Sequence, residues 1–233
     1  MNRAADVSIT VRPTGTALAA DVKGVDLSRP LSPATLDAIM EAWYRHLVLR
    51  FRDQRLTDPQ LAEFSHHFGE LDPAPPAEVD SPFVPQHPEV TVISNIIVNG
   101  KAIGSLGASE SVWHTDMSYS THPPSASVLY SLEVPPSGGD TSFSNMYAAA
   151  EQLPEQLRRK VEGRYIKHDA TTTSAGSLRM GFEVVADPRK APGTLHPIFR
   201  THPVTKRKAL FIGRRHNAYI DGLSLEESEQ LIQ

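Results

Sequence analysis

The chain has 233 residues and a net charge of −4, which suits one large domain, and its lack of cysteine excludes disulfides, thiolate metal sites and a cysteine nucleophile. No apolar run approaches the roughly 18 residues that span a bilayer, and no apolar signal-peptide segment precedes the first strand-like run, so we expect a cytoplasmic protein. Lys and Arg are dispersed along the chain, so no face for nucleic acid is expected.

Two helices and a strand are predicted in the N-terminal part of the chain. Ser32 is a favourable N-cap and Pro33 suits the first helical position, and apolar residues follow at helical spacing. The short apolar run over residues 47–51 predicts a strand. Asp58 and Pro59 begin a second helix.

Most of the later segments of the chain are predicted to be strands. A helix is predicted over residues 147–163, and the capping box of Ser224 and Glu227 begins another near the end of the sequence. Polar residues 169–194 give no clear pattern. The alternation of apolar and polar residues predicts strands in EVTVISNIIV, SASVLYSLEV, TSFSN, HPIFRTHP and KALFIG. The whole predicts a mainly β or α+β arrangement with flanking helices.

The stretch WHTDMSYSTHPP places His114 and Asp116 two positions apart. On a strand, two such side chains project from the same face and would lie side by side. An imidazole and a carboxylate together suit a metal such as Fe(II). The alternative is a polar turn, in which Asp116 caps the backbone beside a solvated His114. The spacing alone leaves both interpretations open.

Four stretches in the same order carry a wider resemblance. They are WHTDMSY, LEVPPSGGDTSFSNMYAA, LHPIFRTHPVTKRKALFIG, and an N-terminal stretch with GVDLSRPLSP and LVLRFRDQRLTDPQLAEFSHHFGEL. Together they resemble the taurine and chlorophenoxyacetate dioxygenase family of Fe(II)- and α-ketoglutarate-dependent oxygenases, over nearly the whole chain. The resemblance implies a double-stranded β-helix, a cupin-like jelly-roll barrel, with helices packed outside.

The resemblance also implies roles for single residues. His114 and Asp116 match the first two iron ligands and are the expected catalytic residues. Thr141 matches a threonine that binds a carboxylate of the cosubstrate α-ketoglutarate, after a tight turn at Gly138 and Gly139. Without the resemblance, Thr141 would be interpreted as a β-branched residue that starts a strand.

The family's third ligand, a distal histidine, and the arginine that clamps α-ketoglutarate have no match in the sequence. The later histidines are interpreted as structural or surface residues: His122, His168, His196, His202 and His216. In the family, further barrel strands follow the helix that here runs to Gln233. We therefore expect one oxygenase domain over residues 1–233 that lacks its C-terminal strands, and weak Fe(II) binding by such a chain.

The resemblance implies hydroxylation of a small organic acid, with succinate and CO2 formed from α-ketoglutarate. Asp116 favours hydroxylation, because related halogenating enzymes have a small residue there. Glu110 stands where taurine-specific enzymes have asparagine and would repel a sulfonate, so taurine is disfavoured. Other sulfonates, sulfate esters, aryloxyalkanoates and amino-acid-like acids remain open, and no substrate-binding residue is assigned.

Two other functions stay possible from the sequence. An inactive jelly-roll that binds a small acid or a partner chain is the main alternative, because the third ligand is missing. A zinc hydrolase is a weaker one, because no His-Glu-x-x-His cluster occurs. A homo-oligomer is expected, since exposed sheet edges favour association.

Overall fold

The computed structural model describes residues 8–15, 17–75, 83–107 and 111–233. The chain divides into two compact units. The first comprises Met1–Leu71 and Val128–Ala149, and the second comprises Asp72–Ser127 and Ala150–Gln233. No helix in the described ranges has the length and apolar character needed to cross a membrane. The prediction of one oxygenase domain over the whole chain stays a prediction.

Within its described residues, the first unit contains a three-stranded sheet, two complete helices and the first residues of a third. Strands β1 (Thr10–Pro13) and β2 (Ala20–Lys23) pair antiparallel, and β3 (Leu49–Phe51) pairs parallel to β2. The helices are α1 (Pro33–His46) and α2 (Asp58–His66). The two predicted helices and the strand within residues 47–51 are therefore confirmed.

Local signals explain where α1 begins and how both helices pack. Ser32 Oγ accepts a hydrogen bond from the Thr35 N–H at 3.2 Å, which satisfies one of the free donors at the helix start. Trp43 of α1 meets Phe68 edge to face at 5.3 Å between ring centroids, and Phe64 of α2 meets Phe68 at the same distance. These aromatic contacts form the apolar core that the helical periodicity predicts.

The strands predicted in SASVLYSLEV and TSFSN are wrong. Residues 125–134 and 141–145 contain no strand. The apolar side chains of the first run are exposed, at 83% for Leu132 and 74% for Val134. Alternation stabilises a strand only where a neighbouring strand pairs with it. In the part of the chain that the structure describes, this run has no such partner.

The second unit contains the remaining strands. EVTVISNIIV and HPIFRTHP each form several short strands rather than one, and KALFIG contributes one. The strands are β4 (Phe83–Val84), β5 (His87–Thr91), β6 (Ile93–Ser94), β7 (Ile97–Val98), β8 (Lys101–Ala102), β9 (Ser105–Leu106), β10 (Tyr165–Lys167), β11 (Leu195–Pro197), β12 (Phe199–Thr201), β13 (Lys208–Leu210) and β14 (Tyr219–Ile220). Strand β10 lies between β11 and β14, and the other sheets that the described residues of this unit form have two strands each.

The core of the second unit is centred on three isoleucines with no exposed surface. Ile166 of β10 pairs with Ile220 of β14, and Ile198 lies between β11 and β12. Residues 169–194 are mostly irregular, with one 3-10 turn at Pro188–Lys190. Within the described ranges the strands form mixed parallel and antiparallel sheets of at most three strands, and none closes into a barrel.

The helix predicted over residues 147–163 is broken into two. Helix α3 (Met146–Gln152) ends before Leu153, and α4 (Glu155–Val161) begins after Pro154. Proline has no N–H to donate, and it disfavours a helical conformation at the residue before it. The single predicted helix is therefore wrong at Leu153 and Pro154, and α4 ends two residues before the predicted end at residue 163.

The last helix, α5 (Leu225–Ile232), begins with the predicted capping box. Ser224 Oγ accepts from the Glu227 N–H at 3.2 Å, and Glu227 Oε2 accepts from the Ser224 N–H at 3.0 Å. We expect Ser224→Ala to lower the free energy of unfolding by about 1 kcal/mol, the usual cost of a lost N-cap. Urea denaturation measures this, with Gln230→Ala on the same helix as the control. Equal stability of the two variants would contradict a capping role.

Candidate metal centre

His114 and Asp116 lie side by side in the second unit. His114 Nε2 is 3.2 Å from Asp116 Oδ1. Of the two interpretations of this stretch, the strand is wrong, because residues 116–119 form a turn in which Met117 has a left-handed φ of 46°. The Ser118 N–H donates to the Thr115 carbonyl at 3.4 Å and helps to close this turn. The turn brings together two side chains that a strand was expected to align.

The orientation of the His114 ring is set by a backbone carbonyl two residues earlier in the chain. Nδ1 lies 2.7 Å from the carbonyl oxygen of Val112. A carbonyl only accepts hydrogen bonds, so Nδ1 carries the proton, and in the neutral ring Nε2 keeps its lone pair. Nε2 and Asp116 Oδ1 are then two acceptors that face each other. A proton or a metal cation between them relieves their repulsion.

The spacing of these two atoms fits ligands of one metal ion. Metal bonds to imidazole nitrogen and carboxylate oxygen are about 2.1 Å long, so two such ligands at right angles lie about 3 Å apart. The observed separation is 3.2 Å. Hydrogen bonding of the distal ring nitrogen to a backbone carbonyl is also the usual support of a metal-binding histidine. The residues present therefore fit a divalent cation.

The Asp116 carboxylate is oriented by a second contact. Ser127 Oγ donates to Oδ2 at 2.6 Å, which leaves Oδ1 facing His114. The contact with His114, which is a hydrogen bond while Nε2 carries a proton, and the hydrogen bond from Ser127 lower the pKa of Asp116 to about 2, against the opposing effect of burial. The carboxylate is therefore ionised at neutral pH, which a metal ligand requires. The side chain of Asp116 is 53% exposed and that of His114 23% exposed, so an ion can reach them.

We expect Ser127→Ala to weaken Mn(II) binding roughly tenfold, because loss of a partner that orients a ligand costs about 10- to 100-fold in metal affinity. The carboxylate would rotate more freely without the 2.6 Å bond to Oδ2. Titration of the protein with Mn(II), with free Mn(II) followed by its EPR signal, measures the dissociation constant. Ser125→Ala on the same segment is the control. Equal affinities of the two variants would contradict the orienting role.

The later histidines have other surroundings. His196 Nε2 lies 2.8 Å from the Ser120 carbonyl, and His202 Nδ1 accepts from the backbone N–H groups of Val204 and Thr205. His168 is buried, whereas His122 and His216 are exposed. In the described ranges, no three His, Asp or Glu side chains form a cluster that could hold a metal. A third ligand is therefore not assigned.

Thr141 lies in the first unit, exposed and outside any helix or strand, so the interpretation as the start of a strand is wrong. Its role toward α-ketoglutarate stays a prediction. Gly138 and Gly139 have left-handed φ values of +73° and +68°, which glycine adopts readily, but neither residue lies in an assigned turn. Glu110 lies outside the residues that the structure describes.

Sequence reasoning did not identify two residues that lie near His114 and Asp116. Ser127 is eleven positions beyond Asp116, and Arg215 contacts the turn from 97 and 100 positions away. A serine and an arginine with no motif around them carry no sequence signal for such a role. Only the folded backbone brings them to the turn.

Comparison with known proteins assigns a family to this arrangement. An α-ketoglutarate-dependent sulfate ester dioxygenase from Pseudomonas putida is 33% identical over 237 residues, covering 97% of this chain and 72% of that protein. An α-ketoglutarate-dependent 2,4-dichlorophenoxyacetate dioxygenase from Cupriavidus pinatubonensis is 31% identical over 235 residues, covering 97% and 80%.

A solved structure and a family model agree with these relatives. The crystal structure of a taurine dioxygenase from Burkholderia xenovorans matches with a TM-score of 0.71 at 33% identity, covering 97% of this chain and 70% of that one. Residues 10–233 match the model of the family described as "Taurine catabolism dioxygenase TauD, TfdA family". The chain that carries the His114 and Asp116 pair belongs to the TauD and TfdA dioxygenase family.

Proposed function

We propose that this protein is an Fe(II)- and α-ketoglutarate-dependent dioxygenase that hydroxylates a small organic acid. The observation that carries the proposal is the 3.2 Å approach of His114 Nε2 to Asp116 Oδ1, with each side chain held by a further hydrogen bond. Family membership supports the same chemistry, because the relatives are named α-ketoglutarate-dependent dioxygenases. The family's double-stranded β-helix is the proposed fold, supported by the TM-score of 0.71.

The proposed roles follow from what each residue can donate. His114 and Asp116 would hold Fe(II) through Nε2 and Oδ1. The Val112 carbonyl keeps the proton of His114 on Nδ1, and Ser127 keeps Oδ2 of Asp116 turned away. Thr141 would donate its hydroxyl hydrogen bond to a carboxylate of α-ketoglutarate. Iron, when bound, supplies the activation of dioxygen, which side chains alone do not perform.

The proposed reaction balances as one substrate C–H, one α-ketoglutarate and one O2 giving one C–OH, succinate and CO2. The two electrons that dioxygen needs beyond the substrate's own come from the decarboxylation of α-ketoglutarate. The Asp116 carboxylate would hold the metal where halogenating enzymes have a small residue, so we propose hydroxylation rather than halogenation.

The substrate class is proposed from the relatives and from one residue. Their names point to sulfate esters and to an aryloxyacetate. We propose a small acid of these types, another sulfonate or an amino-acid-like acid. Taurine is disfavoured, because the carboxylate of Glu110 would repel its sulfonate.

Succinate formation tests the proposal directly. The protein, expressed from its complete gene, is incubated with Fe(II), ascorbate, α-ketoglutarate and a panel of sulfonates, sulfate esters and aryloxy acids. We expect succinate only with iron and α-ketoglutarate together, stimulated by at least one class of acid. Binding of an acid with no succinate from any of them would favour the inactive binding module instead.

A homo-oligomer in the cytoplasm is also proposed. Exposed strand edges in small sheets give the chain a reason to associate. Size-exclusion chromatography with light scattering measures the mass in solution. A single peak at the monomer mass would refute the oligomer.

A further inference from the structure

Arg215 is a buried arginine whose contacts end on the turn that carries the metal pair. It lies between β13 and β14 and is only 6% exposed. Its Nε donates to Ser118 Oγ at 3.1 Å, and its Nη2 donates to the Thr115 carbonyl at 3.2 Å. Burial of a guanidinium is costly unless its N–H groups find acceptors. Both of these acceptors belong to the segment that contains Asp116, and within the described residues Nη1 is buried without an acceptor.

Gly213 and Arg214, directly before Arg215, also contact this turn. The Arg214 N–H donates to the Trp113 carbonyl at 2.8 Å. A methyl group at Gly213 would lie 3.2 Å from that carbonyl oxygen and 3.3 Å from Cα of His114, so the two backbones are in close contact there. Residues 213–215 therefore follow the turn from Trp113 to Ser118 and leave it little room to move.

The guanidinium is itself held in place by an aromatic ring. Its central carbon lies 5.4 Å from the centre of the Tyr119 ring, and Arg179 lies at 5.3 Å from the same ring. A planar guanidinium over an aromatic ring has a defined orientation. The N–H groups of Nε and Nη2 are thereby fixed toward Ser118 and Thr115, on either side of Met117 in the turn.

We propose that Arg215 is a positioning residue, which holds the turn so that His114 and Asp116 keep the spacing for one metal ion. This inference rests on the proposed function, because it assumes that the two side chains bind a metal. Lysine has a charge but no planar fork, so it cannot donate in two fixed directions. A contribution to stability alone is the competing explanation, and metal affinity separates the two.

The experiment compares metal affinity with stability in matched variants. Arg215→Lys and Arg215→Met are titrated with Mn(II) by EPR, and their thermal unfolding is measured in EDTA. Arg200→Met is the control, since Arg200 also lies over an aromatic ring, 4.5 Å from the ring centre of Phe211. We expect the Mn(II) affinity of both Arg215 variants to fall at least about tenfold, as it does when a residue that orients a metal ligand is lost. The control should change affinity less than twofold.

A second measurement reports the geometry of the metal ligands rather than the fraction of protein that binds metal. The visible spectrum of the Co(II)-loaded protein should shift in Arg215→Lys and stay unchanged in Arg200→Met. Ser118→Ala removes only the acceptor of Nε and should weaken Mn(II) binding in the same direction by a smaller factor. This milder variant keeps the inference testable if Arg215→Met does not fold.

The outcomes distinguish this inference from the proposed function. If the unaltered protein and His114→Ala bind Mn(II) equally poorly, the metal site and the inference both fail. If His114→Ala loses binding but both Arg215 variants keep the affinity of the unaltered protein, only the inference fails. It also fails if Arg200→Met loses as much affinity as Arg215→Met at an equal loss of thermal stability.

Discussion

Replacement of His114 by alanine should abolish Mn(II) binding at the proposed site and, with it, succinate formation from α-ketoglutarate. The ring supplies one of the two donors that face each other at 3.2 Å. Loss of a donor atom should exceed the roughly 10- to 100-fold cost of losing a partner that only supports one. Asp116→Ala should have the same effect, because no ionised oxygen then faces Nε2.

The measurement is an Mn(II) titration by EPR together with a succinate assay on the same preparations. Asp116→Asn keeps the shape of the side chain and removes the charge, so it should also bind poorly. His122→Ala replaces an exposed histidine nearby in the sequence and should behave as the unaltered protein does. Tight, His114-independent Mn(II) binding would show that the metal sits elsewhere, and the proposed function would lose its main support.

The stability of the fold should fall in mild acid because of His168. This histidine is 2% exposed. Burial, with the neighbouring charge of Arg215, lowers its pKa to about 4, against an opposing contribution from the Ser118 backbone. The unfolded chain protonates this ring near pH 6.5, and the folded protein resists protonation until about pH 4. The contribution of the neutral His168 ring to the free energy of unfolding is therefore fully present above pH 6.5. It is lost as the pH falls from there toward 4.

The expected loss is roughly 3 kcal/mol over that window, since each pKa unit of difference between the folded and unfolded states is worth about 1.4 kcal/mol. Urea denaturation in EDTA at several pH values measures it. His168→Gln removes the titrating ring, so its free energy of unfolding should fall less steeply with acid. The exposed control His122→Gln should keep the original slope. Parallel curves for His168→Gln and the unaltered protein would show that His168 is not responsible.

Helix ends were predictable because their signals are local. Ser32 with Thr35, and Ser224 with Glu227, are three residues apart and form the expected caps. The run SASVLYSLEV shows the limit of such patterns. Its alternation is strand-like, yet Leu132 and Val134 are exposed, because a strand also requires a partner that a linear pattern does not specify.

The contact between His114 and Asp116 was predictable from the sequence, but the backbone that forms it was not. Their spacing and the family resemblance predict them as metal ligands, which stays a prediction, and a strand was one expected way to align them. The structure aligns them with a turn instead, held by Ser127 and by contacts with residues 213–215. These supports come from separate parts of the chain, and their contribution depends on tertiary folding that local periodicity cannot report.

The support of the turn by Arg215 has a consequence for biosynthesis. Contacts between residues 97 and 100 positions apart form only after both ends have left the ribosome. His114 and Asp116 emerge long before Arg215 does, so the nascent chain presents both side chains without the contacts that hold their spacing. On the proposed function, the metal should therefore bind late, after Arg215 has been synthesised, and a stalled chain that ends before Arg215 should retain little of it.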